Sequence, residues 1–165
     1  MTVAEAPTPP QHMIDQRVRV THVTPAGQSS TRAQRTTSPV VYTVPFSTTA
    51  APWLRDALME VNELTALAAG WDSYRARPVE ASAAVGVAMF LHDHSYHDLA
   101  APQVVPMTDG GVQLEWHRDD VDFEISFSDD DPGVYIEDLR TGDVIEEPLS
   151  AAAAYLAKYR ARLAA

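Results

Sequence analysis

The segment at residues 107–139, MTDGGVQLEWHRDDVDFEISFSDDDPGVYIEDL, decides the fold of this 165-residue chain. Apolar and polar residues alternate in three runs along it, and each run is bounded by a cluster of Asp, Gly or Pro. Such alternation is typical of an antiparallel sheet that is covered on one side. The residues predicted to face the core are Val112, Leu114, Trp116, Val121, Phe123, Ile125, Phe127, Val134 and Ile136.

The parity of these residues restricts how the strands pair, because a shift of one residue would turn every core side chain outward. A two-residue loop at 119–120 satisfies this restriction for the first two strands and places Glu115 opposite Glu124. For the second and third strands, one allowed register places Glu124 opposite Glu137. The sequence therefore predicts a row of three glutamates across the outer face of the sheet.

Six side chains of this predicted outer face are the candidate partner-binding residues: Glu115, Glu124, Glu137, His117, Asp122 and Tyr135. Like charges directly opposite each other destabilise a sheet, so the presence of a glutamate row needs an explanation. Three interpretations stay open. The row is a solvated surface, or a docking face for a basic partner or for the chain's own arginine-bearing N-terminal segment, or a divalent-metal site of three carboxylates. No catalytic residue and no cofactor are predicted, and metal ligands stay unassigned.

Helical periodicity flanks the sheet on both sides in the sequence. Residues 51–69, 78–96 and 150–163 are predicted as helices. The second is predicted to have an apolar face made of Ala81, Val85, Ala88, Met89 and His92 and widened by Val87, Phe90 and Leu91. A short extended piece at 103–106 precedes the sheet, and a fourth strand is considered at 144–145. The predicted fold class is α+β, with two helices, a three- to four-stranded antiparallel meander and a C-terminal helix on the same face.

Residues 1–50 differ from the rest in composition, being rich in Pro, Ser and Thr and lacking helical periodicity. Two β-leaning pieces occur at 17–23 and 40–46, and either is a candidate for an added edge strand. We expect the remainder to form an extended, largely flexible N-terminal tail. Residues 51–165 are predicted to form a single α+β domain.

The charge is unevenly distributed, and the net charge of the chain is −11. Residues 1–50 carry four arginines against two acidic residues, a net +2, whereas residues 51–165 carry eight basic and 21 acidic residues, a net −13. Direct nucleic-acid binding is not expected, because neutralising phosphates requires clustered Lys and Arg. The absence of cysteine excludes disulfides and thiolate nucleophiles. No apolar run approaches the roughly 18 residues of a membrane span, so we expect a cytoplasmic protein without membrane association.

Two polar clusters suggest chemistry but lack the spacing that it needs. The run HDHSYHD at 92–98 is rich in metal-ligating residue types without an HExxH pattern, which favours the polar end of a helix. The run SDDDPG at 128–133 lacks the spacing and closing glutamate of an EF-hand loop, which favours a hairpin turn. Trp71 is predicted to seal the helix–helix corner, with its indole N–H bonded to Asp72 or to a backbone carbonyl.

Three pieces of the chain resemble a known group. They are GWDSY at 70–74, PMTDGGVQLEW at 106–116 and DFEI at 122–125. The chain resembles a loose group of small uncharacterised bacterial proteins that have a GWDGY-like corner and a PTPDGG turn before an LEW strand. The resemblance covers about residues 55–139 and departs from the group at Ser73 and at Met107-Thr108. It implies a helix–helix–meander order, and it transfers no catalytic residue because no activity is known for the group.

These observations predict a non-catalytic protein-binding or accessory module, such as an antitoxin-like or regulatory subunit. It would use the acidic sheet face and the N-terminal tail to bind a protein with a basic surface. One alternative is a divalent-metal-dependent hydrolase or nuclease that uses the outer-face carboxylates, with His117 as a further ligand. A second alternative is an acidic nucleic-acid mimic that inhibits a DNA-binding protein.

Overall fold

The computed structural model describes residues 50–165 and the backbone of two short strands that precede them, β1 (Arg17–Thr21) and β2 (Val41–Pro45). These strands pair antiparallel with each other as a separate two-stranded sheet. The two β-leaning pieces are therefore confirmed as strands, but neither extends the main sheet. The other residues of the predicted flexible tail lie outside the described part of the chain.

The main sheet has five strands, all antiparallel, in the order β3-β4-β5-β6-β7. They are β3 (Gln103–Pro106), β4 (Val112–Arg118), β5 (Val121–Phe127), β6 (Gly133–Asp138) and β7 (Asp143–Pro148). The prediction of three to four strands was too low, although the α+β class is confirmed. The two edge strands were hard to recognise because β3 has four residues and β7 is mostly exposed and acidic.

The described residues contain three α-helices: α1 (Leu54–Leu64), α2 (Ala81–His94) and α3 (Ala152–Tyr159), the last preceded by a 3-10 turn at Leu149–Ala151. Each is shorter than predicted. Helix α2 begins only after Glu80, because the chain before it is extended and the Glu80 amide donates a 2.8 Å hydrogen bond to the Gly110 carbonyl. Within residues 50–165, no helix is both long and apolar enough to cross a membrane.

All three helices contribute to one core on the inner face of the sheet. The face of α2 predicted from the sequence was partly wrong. Val87, Ala88 and Leu91 are buried as predicted, but Met89 is 58% exposed and His92 is exposed. Because α2 is apolar around most of its circumference, periodicity could not select the buried side. Close approach to β5 decides it, since a Cβ on Gly86 would lie 3.1 Å from the Phe127 ring. The buried residues of α2 are Ala83, Ala84, Val87, Ala88 and Leu91.

The register between β4 and β5 is confirmed, with Glu115 opposite Glu124 and His117 opposite Asp122. The predicted register between β5 and β6 was wrong, because Glu124 lies opposite Tyr135 and Glu137 lies opposite Asp122. A shift of two residues leaves every side chain on the same face, so alternation alone could not separate the two registers.

Candidate partner-binding face

The surface of the sheet opposite the helices is the candidate site, and we call it the outer face. The confirmed and corrected registers place its charged side chains in two adjacent rows across the strands. One row runs Gln103, Glu115, Glu124, Tyr135 and Glu146; the other runs His117, Asp122, Glu137 and Val144. All six predicted residues therefore lie on this face, but the three glutamates do not form a single row.

Glu146 is the residue of this face that sequence reasoning missed. It lies opposite Tyr135 on β7, which replaces the Glu124–Glu137 pairing that was predicted. The signal was present as the alternation of Val144 and Glu146 with the partly buried Ile145. One partly buried apolar residue was too little to identify a strand.

His117 bridges two carboxylates on the outer face. Its Nδ1 lies 2.8 Å from Asp122 Oδ1 and its Nε2 lies 3.1 Å from Glu115 Oε2. Carboxylate oxygens accept hydrogen bonds, so both ring nitrogens donate only in the imidazolium form. These two hydrogen bonds raise the pKa of His117 above its usual value of 6.5. The bridge therefore favours the positively charged imidazolium between β4 and β5.

Replacing His117 with glutamine is expected to cost about 0.5–1 kcal/mol of unfolding free energy at about pH 6, as for an exposed ion pair. Because the folded-state pKa of His117 is raised, the stabilisation by the bridge is fully present below pH 6.5, the usual pKa of histidine. It is lost as the pH rises through the folded-state pKa. Urea unfolding of both proteins at about pH 6 and about pH 9 measures the difference.

His92 supplies the matched control, because its Nδ1 contacts only Asp93, its sequence neighbour, at 2.9 Å. Its replacement with glutamine breaks no bridge between strands. A cost of the His117 replacement that grows with pH would contradict the imidazolium bridge.

Glu124 occupies the centre of the outer face on the middle strand. Burial among its neighbours raises its pKa first, and the charge of Glu115 directly opposite raises that pKa further. Gln113 Nε2 donates a hydrogen bond to Glu124 Oε2, which acts in the opposite direction. The ionised glutamate is therefore less favourable in the folded protein than in the unfolded chain.

Replacing Glu124 with glutamine is expected to stabilise the fold by about 0.5 kcal/mol at neutral pH, because it removes one of two like charges that face each other. Because the folded-state pKa of Glu124 is raised, the wild type loses stability as the pH rises through that pKa. The stability gained by the glutamine variant should therefore vanish below pH 4.5, the usual pKa of a glutamate. Thermal unfolding across this range measures the effect. A glutamine variant that is less stable at neutral pH would contradict the assignment.

Tyr135 lies between Glu124 and Glu146 in the row that begins at Gln103. Its hydroxyl donates a 2.9 Å hydrogen bond to Glu137 Oε2 on the same strand. This bond raises the pKa of the Tyr135 hydroxyl, which therefore stays a donor. The bond fixes the ring on the outer face, where it presents an aromatic surface among carboxylates.

Four arginines of the body pair with carboxylates outside the outer face. They form the pairs Arg77–Asp130 at 2.7 Å, Arg140–Asp120 at 2.7 Å, Arg160–Asp98 at 2.6 Å and Arg162–Asp138 at 2.5 Å. Within residues 50–165, no Lys or Arg forms an ion pair with Glu115, Asp122, Glu124, Glu137 or Glu146. Among the described residues, His117 is the one basic side chain that pairs with any of these five carboxylates, and it contacts only Glu115 and Asp122.

The described part of the chain does not contain the ligand geometry that the metal-site interpretation requires. No group of three His, Asp or Glu side chains there could hold a metal ion. The residues of the 92–98 run have separate contacts: His92 bonds Asp93, His94 lies 4.7 Å from the Phe90 ring, and Asp98 pairs with Arg160.

Two of the three pieces that carry the resemblance, the segment at 70–74 and the turn at 107–111, meet at a corner near Arg77. The Arg77 amide donates to the Thr108 carbonyl at 2.9 Å, and the Arg77 side chain bonds the Asp109 carbonyl. The Trp71 indole N–H donates to the Arg77 carbonyl at 3.2 Å, which agrees with the predicted backbone partner. The corner therefore has a structural role, fastening the segment before α2 to the turn before β4.

A cleft of about 420 Å³ opens on the outer face next to β7. It lies over Gly133, which has no side chain, and between the Tyr135 ring and the turn at 131–132. Glu146 and Pro148 of β7 line its other side, and Ser126 contributes from β5. The cleft thus combines an aromatic ring with a carboxylate, two groups that attract cations.

No family model, curated protein or solved structure matches the chain. The resemblance drawn from the sequence motifs therefore stays a prediction.

Proposed function

We propose that this protein is a non-catalytic accessory module that binds a partner protein through the outer face. The observation that carries the proposal is the absence of compensating arginine or lysine beside five carboxylates among the described residues, while four arginines pair with carboxylates elsewhere. A basic partner surface would supply the missing positive charge. An accessory role as an antitoxin-like or regulatory subunit fits a module of this kind.

The electrostatics of the outer face favour association with a basic surface. Glu115 and Glu124 are directly opposed, and Asp122 and Glu137 are directly opposed on the neighbouring strands. Each opposed pair costs the free protein stability that a cation placed between the carboxylates would restore. Complementary charge also raises the rate of encounter and selects against acidic partners.

The same geometry favours recognition over acid–base chemistry. A general base needs a nitrogen with a free lone pair, and in the imidazolium form, which the raised pKa favours, His117 donates from both ring nitrogens to Asp122 and Glu115. The Tyr135 hydroxyl is likewise committed as a donor to Glu137. These side chains supply fixed charge and a fixed ring, which are properties of a binding surface.

The N-terminal segment adds a second element to the proposal. Residues 1–50 carry four arginines against two acidic residues, opposite in sign to the body. We propose that this segment takes part in the complex, where its arginines would contact acidic groups of the partner or of the body. The cytoplasm is the compartment that we propose for the complex.

The test is capture of the partner from the native host by the full-length protein and by two matched variants. The first variant neutralises three outer-face carboxylates, Glu124→Gln, Glu137→Gln and Glu146→Gln. The control neutralises three exposed carboxylates on α1, Asp56→Asn, Glu60→Gln and Glu63→Gln. Both variants carry the same net charge, so only the position of the removed charge differs.

We expect the wild type and the control to retain one stoichiometric protein of basic isoelectric point. The outer-face variant should bind it about tenfold to a hundredfold more weakly, as for the loss of several charge contacts. Equal retention by both variants, or no stoichiometric partner with any of the three proteins, would contradict the proposal.

A further inference from the structure

The two edges of the main sheet differ in how accessible they are to another strand. Edge strands expose unpaired backbone N–H and C=O groups, and proteins protect them by short length, by proline and by charged side chains, which repel strands of like charge. β3 has four residues, ends at Pro106 and follows Pro102. β7 has six residues and contains proline only at its last position, Pro148. In the described part of the chain, β7 pairs only with β6, so the edge at β7 is the open one.

The side chains of this open edge specify what could pair with it. β7 carries Asp143, Glu146 and Glu147, and Val144 is 50% exposed. A second copy pairing through the same strand would bring three carboxylates of each chain together, which is unfavourable. An added strand with basic side chains would instead place opposite charges in neighbouring positions. Charge complementarity therefore selects a basic extended segment of another protein.

We propose that β7 is the site at which an extended, basic segment of the partner adds a sixth strand to the sheet. Main-chain hydrogen bonds supply binding in this mode, and pockets for alternate side chains supply specificity. The inference rests on the proposed function and names how its partner binds. The added strand would extend the outer face beyond β7, because Glu146 belongs both to that face and to the edge strand.

The cleft beside β7 gives one partner side chain a defined place. Side chains of an added strand alternate between the two faces of the sheet. Those on the outer side lie next to Val144 and Glu146, at the border of the cleft lined by Tyr135 and Gly133. An arginine there reaches the Glu146 carboxylate and the Tyr135 ring together. Glu147 is turned to the helical side, where the Tyr155 hydroxyl donates to it at 3.2 Å.

This chain itself contains a segment of the required kind, β1, with the sequence RVRVT. All five of its residues are paired with β2, and β1 lies beside α1. In this structure β1 therefore does not occupy the β7 edge. Occupation of the edge by the chain's own N-terminal residues becomes one outcome of the test.

The test uses the full-length protein and a blocked hexapeptide that alternates arginine with valine. Two further peptides have the same side chains and charge, but one is N-methylated at every valine and the other at every arginine. In an added strand, the N–H groups of alternate residues face the sheet, so only one of the two methylated peptides loses its bonds to β7. Binding is measured by calorimetry, and amide exchange of β7 is followed by NMR.

We expect one methylated peptide to bind at least tenfold more weakly than the parent and the other to bind like the parent. Exchange should slow at alternate residues of β7 when the parent peptide binds. Equal binding of all three peptides would overturn strand addition while leaving a charged docking face intact. Failure of the parent peptide to bind, protection in the free monomer of the β7 amides that face away from β6, or self-association through β7 would each overturn the inference. The capture experiment with the outer-face variant tests the proposed function separately.

Discussion

Replacing Phe123 with alanine is expected to lower the unfolding free energy by about 3–5 kcal/mol, the largest effect of a single side-chain truncation that we expect in this fold. Phe123 is fully buried at the centre of the middle strand. Its ring meets Trp116 edge-on at 5.8 Å between centroids and lies 5.9 Å from the Tyr159 ring of α3. The truncation would therefore leave a cavity between the sheet and the C-terminal helix.

Urea unfolding monitored by circular dichroism measures this loss. A domain of ordinary stability has about 5–15 kcal/mol in total, so the variant should unfold at a much lower urea concentration. Val144→Ala is the matched control on an exposed strand position and should change stability by less than about 0.5 kcal/mol. Similar midpoints for the Phe123 and Val144 variants would show that the core is not where the structure places it.

Replacing Gly111 with alanine is expected to cost about 2–3 kcal/mol through crowding. A Cβ at this position would lie 2.9 Å from the Phe127 carbonyl oxygen and 2.9 Å from Ser128 Cβ. Phe127 ends β5 and Ser128 follows it directly, so these atoms cannot swing aside like the tip of a long side chain. The turn before β4 would have to move, and with it the bonds that tie it to Arg77 and Glu80.

The Gly142→Ala variant is a control that separates the cost of crowding from the cost of backbone strain. The φ of Gly142 is +74°, and a Cβ there would meet no atom within 4 Å, so Gly142→Ala should cost only about 1 kcal/mol from the left-handed conformation. Thermal unfolding of the two variants ranks the costs. A Gly111 variant as stable as the wild type, or less affected than the Gly142 variant, would contradict the close approach.

The centre of the fold was predictable because alternation is strong in β4 and β5. Their register followed from the loop at Asp119-Asp120, where both residues have positive φ, 48° and 54°. A two-residue hairpin loop with this conformation matches the right-handed twist of the strands and fixes the pairing. Glu115, His117, Asp122 and Glu124 could therefore be brought together from sequence alone.

The loop between β5 and β6 left the second register undetermined. It is longer, and its shape depends on Ser128, whose hydroxyl accepts from the Asp130 amide at 3.1 Å and contacts Asp109 from a different turn. Such a contact between distant segments is invisible to a pattern of alternation. The error displaced Glu137 from the predicted row by two residues along its strand.

The limits of the α-helical prediction have a similar physical origin. The Glu80 amide bonds the Gly110 carbonyl 30 positions away, which delays the start of α2. The buried side of α2 depends on the Phe127 ring beside Gly86, again a tertiary contact. Local periodicity identifies a helix of this kind but cannot orient one that is apolar on most sides.

The uncompensated carboxylates of the outer face have a consequence for ionic strength. In the free protein, dissolved ions screen the repulsion between Glu115 and Glu124 and between Asp122 and Glu137, so added salt should stabilise the fold. In a complex with a basic partner, the same ions compete with the attraction and should speed dissociation. One set of side chains thus gives the isolated domain and its assembly opposite responses to salt.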